Sequence, residues 1–160
     1  METCRVTSSA KSGALRAVMK LHEQDKQALI DGNLYELTIS HRLAVYLEEE
    51  FPKYAVDCEY NTNINGQVDR YKRSTEDKKI RPDIIVHKRN DSESNLLVVE
   101  VKKAGRGSER GKRDIEKIRS NFNTPSLHYS HGLFVGVLSS RIDFVWIDMD
   151  RNTVAIEVIL

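Results

Sequence analysis

Arg81-Pro82-Asp83-Ile84-Ile85-Val86 and Leu96-Leu97-Val98-Val99-Glu100-Val101-Lys102-Lys103 place two carboxylates and a lysine beside short apolar runs. Both runs read as strands. Pro82, with its fixed φ and missing N–H, suits a strand start. The polar Asn90-Asp91-Ser92-Glu93-Ser94-Asn95 lies between the runs, and a hairpin is the simplest way to join them.

Upstream, Ala14 to Ile30 carries apolar residues at an imperfect helical spacing and ends at Asp31-Gly32-Asn33, which predicts a first helix. Leu34 to Glu50 predicts a second, with Ile39, Leu43, Tyr46 and Leu47 recurring at helical intervals and Pro52 as a stop. Tyr54 to Tyr60 alternates as a half-buried strand would, and a polar stretch with an Asn65-Gly66 turn follows to Lys79. Beyond Gly105-Arg106-Gly107, Arg110 to Phe122 reads as a charged amphipathic helix with Ile115 and Ile118 inward. Leu133 to Leu138, Phe144 to Asp148 and Val154 to Ile159 complete the chain as strands, the last two joined near Asp150-Arg151-Asn152. A strand-helix-strand crossover favours parallel neighbours, whereas hairpins are antiparallel. The expected fold class is therefore α/β: a single domain over 13–160 with a central mixed β-sheet flanked by helices, preceded by a polar segment at 1–12 that reads as disordered.

The 160 residues are 39% hydrophobic and 31% charged, ordinary for a globular domain with one core. No stretch approaches the roughly 20 apolar residues that span a bilayer, and the first residues lack the layout of a secretory signal. A cytoplasmic protein without membrane contact is expected. Cys4 and Cys58 form no zinc-spaced cluster and read as reduced, structural cysteines. Net charge is +1, but residues 71–119 hold 15 Lys/Arg against 9 Asp/Glu, which suggests a polyanionic partner. A lysine-rich loop and a solvated helix face would account for the same imbalance.

Side chains alternate along a strand, so Glu100 and Lys102 emerge on one face about 6 to 7 Å apart. Hairpin pairing offers Asp83 a route to the same place. Convergent carboxylates repel unless a cation lies between them, and hard oxygen ligands suit magnesium, which keeps several waters and also binds phosphate. Such a metal neutralises charge on a phosphodiester and acidifies the attacking water, while a lysine positions that water. Glu-Val-Lys is equally what an exposed strand looks like.

Pro82-Asp83 followed by Glu100-Val101-Lys102, with a helix before and a strand-helix-strand continuation after, resembles the PD-(D/E)XK superfamily of restriction-endonuclease-like nucleases. The likeness covers roughly residues 34–140. It implies a restriction-endonuclease-like fold and a metal-dependent nuclease hydrolysing phosphodiester bonds in nucleic acid. In that family the equivalents of Asp83 and Glu100 bind Mg²⁺ (or Mn²⁺), the carbonyl at Val101 adds a ligand, and Lys102 assists the water. Many members carry a further glutamate on the preceding helix. Glu36 is the candidate, since it shares the apolar face of its helix with residues 39, 43 and 47; a first-turn glutamate favoured by the helix dipole is the alternative.

One turn on, His41 is read as packing against the sheet rather than as a base. Asp114 and Lys117 share one face of the later helix, either towards the site or as a solvated pair. Arg106, Arg110, Lys112, Arg113 and Lys117 are the candidates for contact with nucleic-acid phosphates. His128, Tyr129 and His131, read as a loop before a strand, are assigned no role. The competing function is a catalytically inactive module of the same fold that binds nucleic acid or an unknown protein partner. The run Val154 to Leu160 either pairs with a second copy as a homodimer or is buried in the monomer. With no zinc module or helix-turn-helix in view, a small stand-alone nuclease core is expected rather than a sequence-specific enzyme.

Overall fold

The computed structural model describes residues 2–59, 81–89, 91–121, 129–148 and 152–160, with the side chains of 2–8, 92–94 and 121 left aside. The expected turn at Asn65-Gly66 and the roles of Tyr60, Phe122 and His128 lie outside these residues, as does the side chain of Cys4.

Two helices come first, α1 (Glu2–Ile30) and α2 (Glu36–Glu50). Next are β1 (Ala55–Cys58), β2 (Ile84–Lys88) and β3 (Asp91–Lys102), then α3 (Glu109–Asn121), and finally β4 (Tyr129–Val137), β5 (Arg141–Ile147) and β6 (Thr153–Ile159). The strands form one six-stranded sheet in chain order, β1-β2-β3-β4-β5-β6. β3 and β4 run parallel across the α3 crossover. Every other neighbouring pair is antiparallel, as hairpins require.

Alternation along the strands sorts the core into two layers. Leu97, Val99, Val101, Leu133, Val135, Phe144 and Trp146 point to the side covered by α1 and α2. Ile85, Val98, Phe134, Val145 and Ile147 face α3, which contributes Ile115 and Ile118. On α1 the inward stripe is largely small, with Ala10, Ala14 and Ala17 buried beside Val18 and Leu21. α1 reaches back to Glu2, so the segment expected to be disordered is helical. Once Ala14 to Leu21 is helical, extension adds one hydrogen bond per residue fixed, and burial of Ala10 at 4% exposure rewards it. No described helix is long and apolar enough to cross a membrane.

Several expectations are corrected. Tyr129 and His131 are buried residues of β4, because pairing with Asn95 and Leu97 of β3 extends that strand beyond the apolar run. His41 is exposed on α2 and does not pack on the sheet. Cys58, expected to be reduced and structural, is a free cysteine and lies exposed at the end of β1. β6 is an edge strand on which Val158 is buried while Val154 and Ile159 are 43% and 66% exposed.

The link from β3 to α3 is held tightly. A Cβ at Gly136 would lie 2.5 Å from the Ala104 carbonyl oxygen, and one at Gly111 would lie 2.2 Å from that of Gly105. Glycine at both positions lets β4 and α3 close on this loop. Ser108 caps α3, its Oγ accepting the Gly111 N–H at 3.0 Å and donating to the Gly105 carbonyl at 2.7 Å. From β5, the fully buried Asp143 accepts the Arg106 N–H and the Arg141 Nε–H, each at 2.8 Å.

Candidate active site

Antiparallel register pairs Ile84 with Val99, which carries Asp83 opposite Glu100 on the next rung. The Glu100 side chain falls on the α3 side of the sheet, the side Val98 also faces, and Asp83 is near enough to act on its charge. Lys102, two residues along β3, is on that side too. Asp83 is anchored by its Oδ2, which accepts the Val101 N–H at 2.7 Å, and by its carbonyl, which accepts the Glu59 N–H at 3.0 Å. Glu59 has a φ of 50°, a left-handed conformation uncommon outside glycine.

Glu100 is buried, at 4% exposure. Burial pushes its carboxyl up from 4.5 to about 8; the Lys117 ammonium pulls the other way, while Asp83 and Asp114 add to the rise. Lys117 reaches down from α3 and donates to Glu100 Oε1 at 2.7 Å. Lys102 Nζ stands 3.3 Å from Asp114 Oδ2 and 3.6 Å from Glu36 Oε1. Burial works against the Lys102 ammonium, but Asp114 and Glu36, with a smaller part from Asp83, outweigh it and hold its pKa above the ordinary value. That Asp114 oxygen is buried and has no hydrogen bond, although the Lys102 charge is beside it.

Glu36 opens α2 and does not sit among its core residues. Its Oε2 accepts the Lys103 N–H at 2.7 Å, and its Oε1 lies 3.5 Å from Arg110 Nη2. Its half-buried side chain bridges the end of β3 to the start of α3. The structure thus gathers Asp83, Glu100, Lys102 and Glu36 at one end of β2 and β3, with Asp114 and Lys117 over them.

The basic candidates divide. Arg110, Asp114 and Lys117 form one stripe of α3 directed to the site, with Arg113 exposed beside it. At about 100° per residue, Lys112 falls on the opposite flank. Arg106 turns away towards β6, its Nη2 3.4 Å from Glu157. Asp143 is a residue that motif reading passed over. Its signal was present, a lone acid within the apolar strand Ile142-Asp143-Phe144-Val145-Trp146-Ile147.

Among the described residues no three or more His, Cys, Asp or Glu side chains are grouped so as to hold a metal ion. No family model matches the sequence, and no match was found among curated proteins or solved structures.

Proposed function

We propose that this chain is a metal-dependent nuclease of the PD-(D/E)XK, restriction-endonuclease-like type, hydrolysing phosphodiester bonds in nucleic acid. One observation carries the reading: Asp83, just ahead of β2, comes level with Glu100 of β3 and acts on its charge, and Lys102 is two residues further along β3. Proximity of two carboxylates, one of them buried, suits a bound cation. Burial and Asp83 both disfavour the Glu100 anion, and a divalent ion would reverse that preference. Asp83 and Glu100 would hold Mg²⁺ (or Mn²⁺), with the Val101 carbonyl as a further oxygen; Glu36, expected as an auxiliary ligand, is instead engaged by Lys102, the Lys103 N–H and Arg110. So small a protein ligand set fits Mg²⁺, which retains several waters and shares its coordination with phosphate. When bound, the metal supplies Lewis acidity and an acidified water.

The remaining chemistry belongs to side chains. Lys102, kept cationic by Asp114 and Glu36, presents an ammonium to the water and to charge developing on the phosphate. Lys117 donates to the Glu100 carboxyl in the metal-free protein, and a divalent ion bound there would compete with it for that oxygen. Arg110 and Arg113 receive phosphates of the flanking chain.

The test is a cleavage screen over single-stranded and duplex DNA and RNA, in Mg²⁺, Mn²⁺ or EDTA. Cleavage that needs the metal and disappears in Asp83→Ala and Lys102→Ala is the expected result. A protein that neither binds either ion nor cuts any of these substrates ends the proposal. A second reading has its own support: the 2.7 Å Lys117 to Glu100 pair supplies an internal cation where a metal would sit. On that reading the fold is an inactive binding module, recognised by nucleic-acid or protein binding that is unchanged by EDTA and by Glu100→Ala.

A further inference from the structure

Tyr35 is 80% exposed and Leu37 is 62% exposed, and they flank Glu36 in sequence. Their exposure does not reflect a lack of core to enter. Ile39, Leu43 and Leu47 of the same helix are fully buried, and Tyr46 is buried with its hydroxyl donating to Asp25 Oδ2 at 2.9 Å. An aromatic ring and a leucine are left in water beside the candidate site. Two cations stand at this turn: Lys103 Nζ donates to the Gly32 carbonyl at 2.8 Å, and Arg110 Nη2 lies 3.5 Å from Glu36 Oε1.

We infer that Tyr35 is a stacking platform for an unpaired base, and that the substrate of this site is single-stranded or frayed nucleic acid. The inference rests on the nuclease reading and adds a substrate class to it. Stacking on an exposed aromatic face requires a base whose own face is free, which a continuous duplex does not offer. Exposed rings interleaved with basic side chains are how single strands are held without sequence preference. Lys103, Arg110 and Arg113 supply the positive track. A protein partner fits less well, because two apolar side chains fall far short of the roughly 800 Å² per partner of a stable interface.

Anisotropy of a labelled single-stranded oligonucleotide and of its blunt duplex, measured on the full chain in EDTA at one salt concentration, tests this without cleavage. The wild type should bind the single strand more tightly than the duplex. Tyr35→Ala should weaken single-strand binding about tenfold and leave duplex binding unchanged, while Tyr35→Phe keeps both. The melting temperature of Tyr35→Ala should match the wild type, since the ring is exposed. Unchanged single-strand binding in Tyr35→Ala overturns the inference, as does an equal loss for both forms. So does self-association without nucleic acid that Tyr35→Ala abolishes, because the patch is then a protein interface. Metal-dependent cleavage of duplex and single strand alike, indifferent to Tyr35→Ala, would remove this inference and leave the nuclease reading standing. Failure to bind or cut any form removes both.

Discussion

Replacing Glu100 with glutamine should make the metal-free protein more stable in alkali, the opposite of what deleting a salt-bridge partner usually does. Burial raises the folded-state pKa of this carboxyl from 4.5 to about 8, with Lys117 lowering it and Asp83 and Asp114 adding to the rise. Between those two values the folded chain holds a proton that the unfolded chain has released. The contribution of this one group to stability is therefore complete below about pH 4.5, declines as pH rises and is lost above about pH 8. At about 1.4 kcal/mol per pH unit, the full interval corresponds to at most about 5 kcal/mol. Lys117, whose side chain is 40% exposed, can readjust towards the anion, and a few kcal/mol is the expected size. Glutamine copies the neutral acid, so Glu100→Gln should match the wild type near pH 4 and exceed it by about 2 to 5 kcal/mol at pH 9. Urea unfolding in EDTA at pH 4, 7 and 9 measures this directly. Parallel pH profiles for the two proteins, or a variant less stable than wild type at pH 9, would refute the account of a buried carboxyl opposed by its surroundings.

At pH 7, Mg²⁺ at a hundred times its dissociation constant should stabilise the wild type by about 2.7 kcal/mol with proton uptake by the buffer, and the gain should vanish in Asp83→Ala; calorimetry in two buffers reads both. Lys102→Ala should lower turnover by about 10²- to 10³-fold while leaving metal affinity near that of the wild type, as single-turnover cleavage and titration would show. Gly136→Ala should lower the unfolding midpoint by the equivalent of about 1 to 3 kcal/mol, because its new methyl meets a backbone oxygen at 2.5 Å that has little room to yield. Phe134→Ala, a fully buried ring between sheet and α3, should cost about 3 to 5 kcal/mol in urea unfolding.

Much of the architecture is written locally. The apolar spacing of Ile39, Leu43 and Leu47, the polar break between the two opening runs, and the crossover from Lys102 through α3 to β4 each depend on residues near one another in the chain. Tyr129 and His131 were harder to read, because their strand is made by register with β3 and their own composition does not announce it. α1 likewise extends through polar residues that have weak local reasons to be helical. Asp143 has Arg141 two residues away on its own strand, but the Arg106 N–H reaches it only through the fold.

By itself, the sequence determined that Glu100 and Lys102 share a face, since alternation is a property of any extended strand, and it supplied the hairpin that sets Asp83 on the neighbouring rung. Only tertiary structure decided how those charges are balanced. Lys117 lies 17 residues from Glu100 and Lys103 lies 67 from Glu36, and nothing in local periodicity couples such pairs. Packing of α3 on the sheet buries Glu100 and sets a lysine against it, while α2 swings Glu36 onto the end of β3. Burial and through-space charge, the two quantities that govern the proton on Glu100, exist only once those distant segments have met.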